Sequence, residues 1–172
     1  MGVFYRLGQF WHNVTAKPLS KVEQKEIADH LNPQELNLFR QMTLSDQQHA
    51  YRVYCSLRDN GYRDNDLLTA ALLHDVGKSK VYLSVWDRSL AVLGEAFLPL
   101  KVKEWGEGEA NDWKRTFSVR EKHAIWGGAM AEEAGSSREV VDLIIRHQDL
   151  LPAGVQGKDE RLALLQWADG RN

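Results

Sequence analysis

The stretch Leu72-Leu73-His74-Asp75-Val76-Gly77-Lys78 decides how the rest of the chain is read. An apolar helix starting near Asp64 carries Leu67, Leu68, Ala70, Ala71, Leu72 and Leu73 inward, delivers an adjacent histidine and aspartate, and stops at Gly77. A carboxylate buried beside an imidazole is costly unless something satisfies it. The partner that suits both residue types is a divalent metal ion, which takes neutral imidazole nitrogen and carboxylate oxygen together. Further ligands must then lie elsewhere in the chain.

Working outward, other helical patterns supply them. Ser45 with Gln48 reads as a capping box for a helix whose buried face is Ala50, Val53, Tyr54 and Leu57, ending near Asn60-Gly61; His49 lies on the edge of that face. Ser118 with Glu121 opens a helix with His123, Trp126, Gly127 and Met130 along one side, ending at Gly135. Ser136 with Glu139 opens another, in which Val140, Leu143, Ile144 and His147 share a face. After a loop from Pro152 to Gly157, a final helix from about Asp159 to Asp169 aligns Leu162, Leu165 and Asp169. One polar residue on an apolar stripe is ordinarily satisfied by a backbone carbonyl or an arginine. Six of them, His49, His74, Asp75, His123, His147 and Asp169, suit two metal ions with a bridging carboxylate better than one tetrahedral zinc. Gly127, one turn after His123, leaves room for something to approach that helix.

The remaining segments carry less chemistry. Val3, Phe4, Leu7, Phe10, Trp11 and Val14 recur at helical spacing, a face expected to pack on the domain; the alternatives are an interfacial anchor or a dimer contact, which would make the protein a homo-oligomer. His12 lies off that stripe and is read as a surface residue. Ser20 with Glu23 caps a second helix through Leu31, and Asn32-Pro33 opens a third. His30, at the end of the second, is read as a structural cation favoured by the helix dipole. Val81 to Phe97 is helical in period and Pro99 ends it. Residues 100–117 mix charge, glycine and tryptophan without periodicity and read as a lid or insertion. No segment alternates at period two long enough to argue a sheet, so the chain is read as all-α: helices in 1–44 packing on a core domain of 45–172.

Composition narrows the function. With 172 residues a single domain is expected, and 22 basic against 24 acidic residues, net −2, lack the electrostatic footprint of an extended nucleic-acid binder. Cys55 is the only cysteine, which excludes an intrachain disulfide and a cysteine zinc site and fits a reducing, cytoplasmic compartment. Neither a signal-peptide pattern nor a transmembrane run is seen in the sequence.

His49, then His74-Asp75 within Leu-Leu-His-Asp-Val-Gly-Lys, then Asp169 within Leu-Gln-Trp-Ala-Asp resembles the H…HD…D pattern of the HD-domain metal-dependent phosphohydrolases, from about Ser45 to Asp169. His123 and His147 resemble the two additional histidines of the two-metal members. The resemblance implies a compact helical bundle in which His49, His74, Asp75 and Asp169 hold one metal, while Asp75 bridges to a second held by His123 and His147. Lys78 matches the family lysine that lies beside the site and contacts a substrate phosphate, and with Asp75 it is assigned a catalytic role. Two cations would acidify a water and neutralise charge on a phosphoryl group under attack. The ions are one or two of iron, manganese, cobalt, nickel, zinc or magnesium, and the substrate a small phosphorylated molecule such as a nucleotide, cleaved at a phosphoester or phosphoanhydride. Arg146 and Lys122, beside two of the ligands, are read as surface charges. The subgroup that degrades cyclic di-GMP has a second adjacent histidine and a Gly-Tyr-Pro, and Gln148 to Gly154 carries neither. Small stand-alone members, including a diadenosine tetraphosphate hydrolase, are more similar. A non-catalytic nucleotide-binding or signalling module is the alternative from another class, and a purely structural helical domain a third.

Overall fold

A computed structural model describes residues 17–80, 115–151 and 158–172. The expected helices at 3–14 and 81–97, most of the expected lid and the loop from Pro152 to Gly157 lie outside the described residues. Among these, every regular element is helical: α1 (Lys21–His30), α2 (Pro33–Gln41), α3 (Leu44–Asp59), α4 (Asn65–Leu73), a 3-10 helix (Val76–Lys80), α5 (Arg115–Glu133), α6 (Arg138–Arg146) and α7 (Lys158–Asp169).

The centre of the bundle is α4. All seven residues from Leu67 to Leu73 are buried and all but Thr69 are apolar, the pattern of a helix surrounded by protein. Each fully buried leucine there contributes about 1.5–3 kcal/mol relative to exposure. Around it pack α3 and α6, α5 lies along both the 3-10 helix and α6, and α7 packs on α3 and α4. Ile27 and Leu31 from α1 and its cap, with Phe39 and Met42 at α2, join the same core as Leu57, Leu72 and Ile144.

Local hydrogen bonds explain where these helices begin. Ser20 and Glu23 form the expected capping box, and Asn32 Oδ1 accepts from the backbone N–H of Gln34 and Glu35 at 2.8 and 2.9 Å ahead of Pro33. Three expected starts are corrected. α3 is capped by Thr43 rather than Ser45; Thr43 Oγ1 accepts from the N–H of Asp46 at 3.3 Å, and the Asp46 carboxylate sits in the first turn, where the helix dipole favours it. Cap duty on α6 falls to Ser137, not Ser136: Ser137 Oγ accepts from the Val140 N–H at 3.2 Å, while the Ser136 hydroxyl donates to the buried Glu35 at 2.7 Å. α5 runs through Ser118 from Arg115, so 115–117 belong to a helix and not to a lid. Helix ends were more legible: Gly61 and Gly135 adopt φ of 90° and 79° after α3 and α5, as a left-handed C-terminal turn requires.

His30 also differs from expectation. Burial lowers its pKa, its Nε2 lies 3.1 Å from the Thr69 hydroxyl and its ring meets Tyr54 edge-on, so it is a neutral packing residue between α1 and α4 rather than a dipole-stabilised cation.

Candidate metal centre

α4 ends as an α-helix at Leu73, four residues before the expected stop at Gly77, and tightens into the 3-10 helix. His74 and Asp75 occupy the junction, buried at 1% and 3% exposure. The tightening matters because the 3-10 segment crosses α5 with almost no clearance. A Cβ placed on Gly77 would lie 1.9 Å from the His123 carbonyl oxygen and 2.6 Å from the Gly127 nitrogen. The element that Gly127 admits is therefore the backbone of Gly77, and the contact sets His123 against Asp75.

The six residues expected from sequence are brought together from five elements or their ends. His49 of α3 places Nε2 2.8 Å from Asp169 Oδ1 on α7, and His74 Nε2 lies 3.6 Å from the same oxygen. Across the centre, His123 Nε2 of α5 and His147 Nε2 at the end of α6 are 3.3 Å apart. Two donor groups result, His49, His74 and Asp169 in one and Asp75, His123 and His147 in the other, each with its ligand atoms within 4.8 Å of one another. Asp75 faces both. Its Oδ2 is 3.5 Å from His74 and 4.0 Å from His49, whereas its Oδ1 is 3.4 Å from His123 and 4.0 Å from His147.

Backbone carbonyls orient two of the rings. His74 Nδ1–H donates to Ala71 O at 3.0 Å and His147 Nδ1–H to Ile144 O at 2.7 Å, which turns each Nε2 toward the centre. His74 Nε2 is buried and has no hydrogen-bond partner among the described residues. Two carboxylates facing an orphaned ring nitrogen favour positive charge at that point, a proton in the bare protein or a cation in its place. The donor set, nitrogen and carboxylate oxygen without sulfur, fits divalent ions.

The titration of the site follows from the same contacts. Burial alone would raise the Asp75 carboxyl, but Lys78, His74 and His123 outweigh it and hold it well below the usual carboxylate range. Asp169 is also held low, by His49 and His74 against its own burial. Burial, then the neighbouring His74, pushes His147 down to about 4, so its imidazole is neutral at ordinary pH. Desolvation opposes charge on His74, yet Asp75 and Asp169 prevail and its pKa is raised. Lys78 Nζ donates to Asp75 Oδ2 at 2.5 Å, and that carboxylate raises the lysine despite burial.

Two features of the surroundings were not read from sequence. Arg146 is not a free surface charge, since it pairs with Asp142 at 3.2 Å, Asp149 at 3.3 Å and Asp159 at 2.5 Å and so ties α6 to the start of α7. Gln166, inside the motif around Asp169, donates to the backbone of His147. Its only sequence signal is a polar residue one turn before a ligand on a largely apolar helix.

No helix among the described residues is long and apolar enough to cross a membrane. The chain matches no curated protein and no solved structure. The HD domain family model matches residues 47–171. That match covers well over half of the chain and takes in all six converging residues from His49 to Asp169, and on this ground the protein belongs to the HD-domain family.

Proposed function

We propose that this protein is a metal-dependent phosphohydrolase that cleaves a phosphoester or phosphoanhydride bond in a small phosphorylated substrate, a nucleotide being the best-fitting class. The observation that carries the reading is the division of labour at Asp75, whose Oδ2 faces His49 and His74 while Oδ1 faces His123 and His147. A single carboxylate so placed would serve two ions, with His49, His74 and Asp169 completing one set and His123 and His147 the other. Divalent ions held there supply Lewis acidity toward a phosphoryl oxygen and lower the pKa of water.

The chain's own groups prepare for this. Asp75 and Asp169 are anionic at neutral pH, and His147 presents a neutral ring, the ligand form of imidazole. The bonds from Nδ1 to Ala71 O and Ile144 O hold the rings of His74 and His147 in one tautomer. Lys78 holds Asp75 in place, and with its side chain 34% exposed it brings a fixed positive charge to the edge of the site, where a phosphate oxygen would meet it. Cyclic di-GMP is not favoured, since the sequence lacks the second histidine and Gly-Tyr-Pro of that subgroup.

The test is elemental analysis of protein purified without chelator, beside His123→Ala, followed by a phosphate-release screen over nucleotides. About two ions per chain in the parent, about one in the variant and turnover in the parent alone are expected. Turnover that persists in protein stripped of metal would overturn the reading.

A further inference from the structure

Gln166 stands on α7 one turn before Asp169. Its side-chain Nε2 donates to two backbone oxygens, His147 O at 3.0 Å and Asp149 O at 2.8 Å. His147 caps the C-terminal end of α6, where helix geometry leaves oxygens without an intrahelical donor, and Asp149 lies in the turn that follows. The same end presents His147, with Nε2 facing His123. One amide therefore ties the backbone of a residue in one donor group to the helix that carries Asp169 in the other. The other links between these helices, Arg146 with Asp159 and Arg161 with Glu139, lie ten and eight residues back from Asp169, roughly 15 and 12 Å along the helix axis.

We propose that Gln166 is a positioning residue that couples the two donor groups, holding His147 in the register with Asp169 at which a second divalent ion is taken up. The proposal rests on the two-metal reading above. Among the described residues the Gln166 side chain hydrogen-bonds backbone alone, and it acts through the main chain of His147. Its chemistry suits the task. A neutral amide has two hydrogens for two carbonyls, while a carboxylate would confront them with no hydrogen to give and an apolar side chain would leave both without this donor.

The experiment is titration of the metal-depleted full chain with manganese(II), read by bound-metal count and electron paramagnetic resonance, in the parent and in Gln166→Met, Gln166→Glu and Gln166→Lys. Methionine keeps length and volume without donating, glutamate keeps shape and reverses polarity, and lysine restores hydrogens for both carbonyls. Thermal melts of the metal-free forms identify the folded variants, and the methionine variant carries the result if the glutamate variant does not fold. The parent is expected to bind two ions with an exchange-coupled spectrum. Gln166→Met and Gln166→Glu should keep one ion at parent affinity, bind the other about tenfold more weakly and show isolated-ion spectra, with recovery in Gln166→Lys. A second ion held by Gln166→Met as tightly as by the parent would overturn the proposal, as would equal weakening of both ions. A parent that binds fewer than two ions fails at an earlier step and brings down the two-metal reading itself, so the two failures are distinct.

Discussion

Replacing Gly77 with alanine should damage the centre without touching a ligand. The added Cβ would start 1.9 Å from His123 O and 2.6 Å from Gly127 N, both backbone atoms of α5. A carbon beside a carbonyl oxygen rests at 3.3–3.6 Å, so the 3-10 helix and α5 must separate by roughly 1.4 Å. Neither element yields easily, because Val76 and Gly77 are buried and α5 is fixed on its other side by α6. Overpacking of this kind costs about 1–3 kcal/mol, and the backbone clash puts Gly77 at the upper end. Alanine returns about 0.5–1 kcal/mol through reduced freedom of the unfolded chain. The net loss of about 2 kcal/mol corresponds to a fall in Tm of about 4–8 °C for a chain of this size. The same separation widens the 3.4 Å approach of His123 Nε2 to Asp75 Oδ1, so the ion bound by Asp75, His123 and His147 should be lost first. Gly128→Ala is the control. Its Cβ comes close only to Ile145 side-chain atoms, at 2.4 and 2.8 Å, with Val141 O at an ordinary contact distance of 3.6 Å, and Ile145 is 41% exposed, with room to turn outward. The gain in helix propensity, about 1 kcal/mol, should leave that variant near parent stability. Thermal denaturation and elemental analysis of both variants decide the matter. A Gly77→Ala protein that melts with the parent and keeps its full metal content would refute the reasoning.

Two further outcomes follow from Asp75 and His147. Asp75→Asn keeps the shape of the carboxylate and removes the charge that both donor groups face, so elemental analysis should show loss at both positions and phosphate release should stop; loss of one ion alone would show that Asp75 does not bridge. His147 is held neutral in the fold with a pKa of about 4, whereas an unfolded imidazole titrates near 6.5. The unfolded chain takes up this proton first on acidification, so the contribution of His147 is present above about pH 6.5 and is lost as pH falls toward 4, by about 3 kcal/mol at most. Urea unfolding in chelator at pH 7 and pH 4.5 should show that loss in the parent and a smaller one in His147→Leu, and equal losses would contradict the assignment.

How much of this was legible in sequence depends on whether a residue acts through its own helix or through a distant one. The six residues of the proposed centre could be picked out because each sits on or beside an apolar stripe, and a stripe is a local, periodic signal. The glycine ends at Gly61 and Gly135 were legible for the same reason, though the stop expected at Gly77 was not where α4 ends. Helix starts were not, where two capping patterns overlap: Thr43 with Asp46 competes with Ser45 and Gln48, and Ser136 with Ser137. Both hydroxyls also donate to distant carboxylates, Ser136 to Glu35 and Ser137 to Asp66, which no local pattern shows. Gly77, Arg146 and Gln166 belong to the same class. Each does its work against a partner that only the packed bundle supplies, so the local sequence shows the residue and not its role.

Charge links the number of ions to the kind of substrate. With neutral imidazoles the centre carries two carboxylates, Asp75 and Asp169, and one ammonium, Lys78, which is −2 + 1 = −1. One divalent ion would bring it to +1, which a single hydroxide or carboxylate offsets. Two would bring it to +3, in a pocket where His74 and His123 are each 1% exposed and water screens poorly. Charge of that size in such surroundings calls for a multiply charged anion, and a phosphate monoester or polyphosphate supplies it where a neutral or singly charged ligand does not. A centre that holds both ions should therefore bind phosphorylated compounds in order of their charge. In His123→Ala, reduced to one ion, that order should flatten, and competition by inorganic phosphate and pyrophosphate against a common nucleotide would show it.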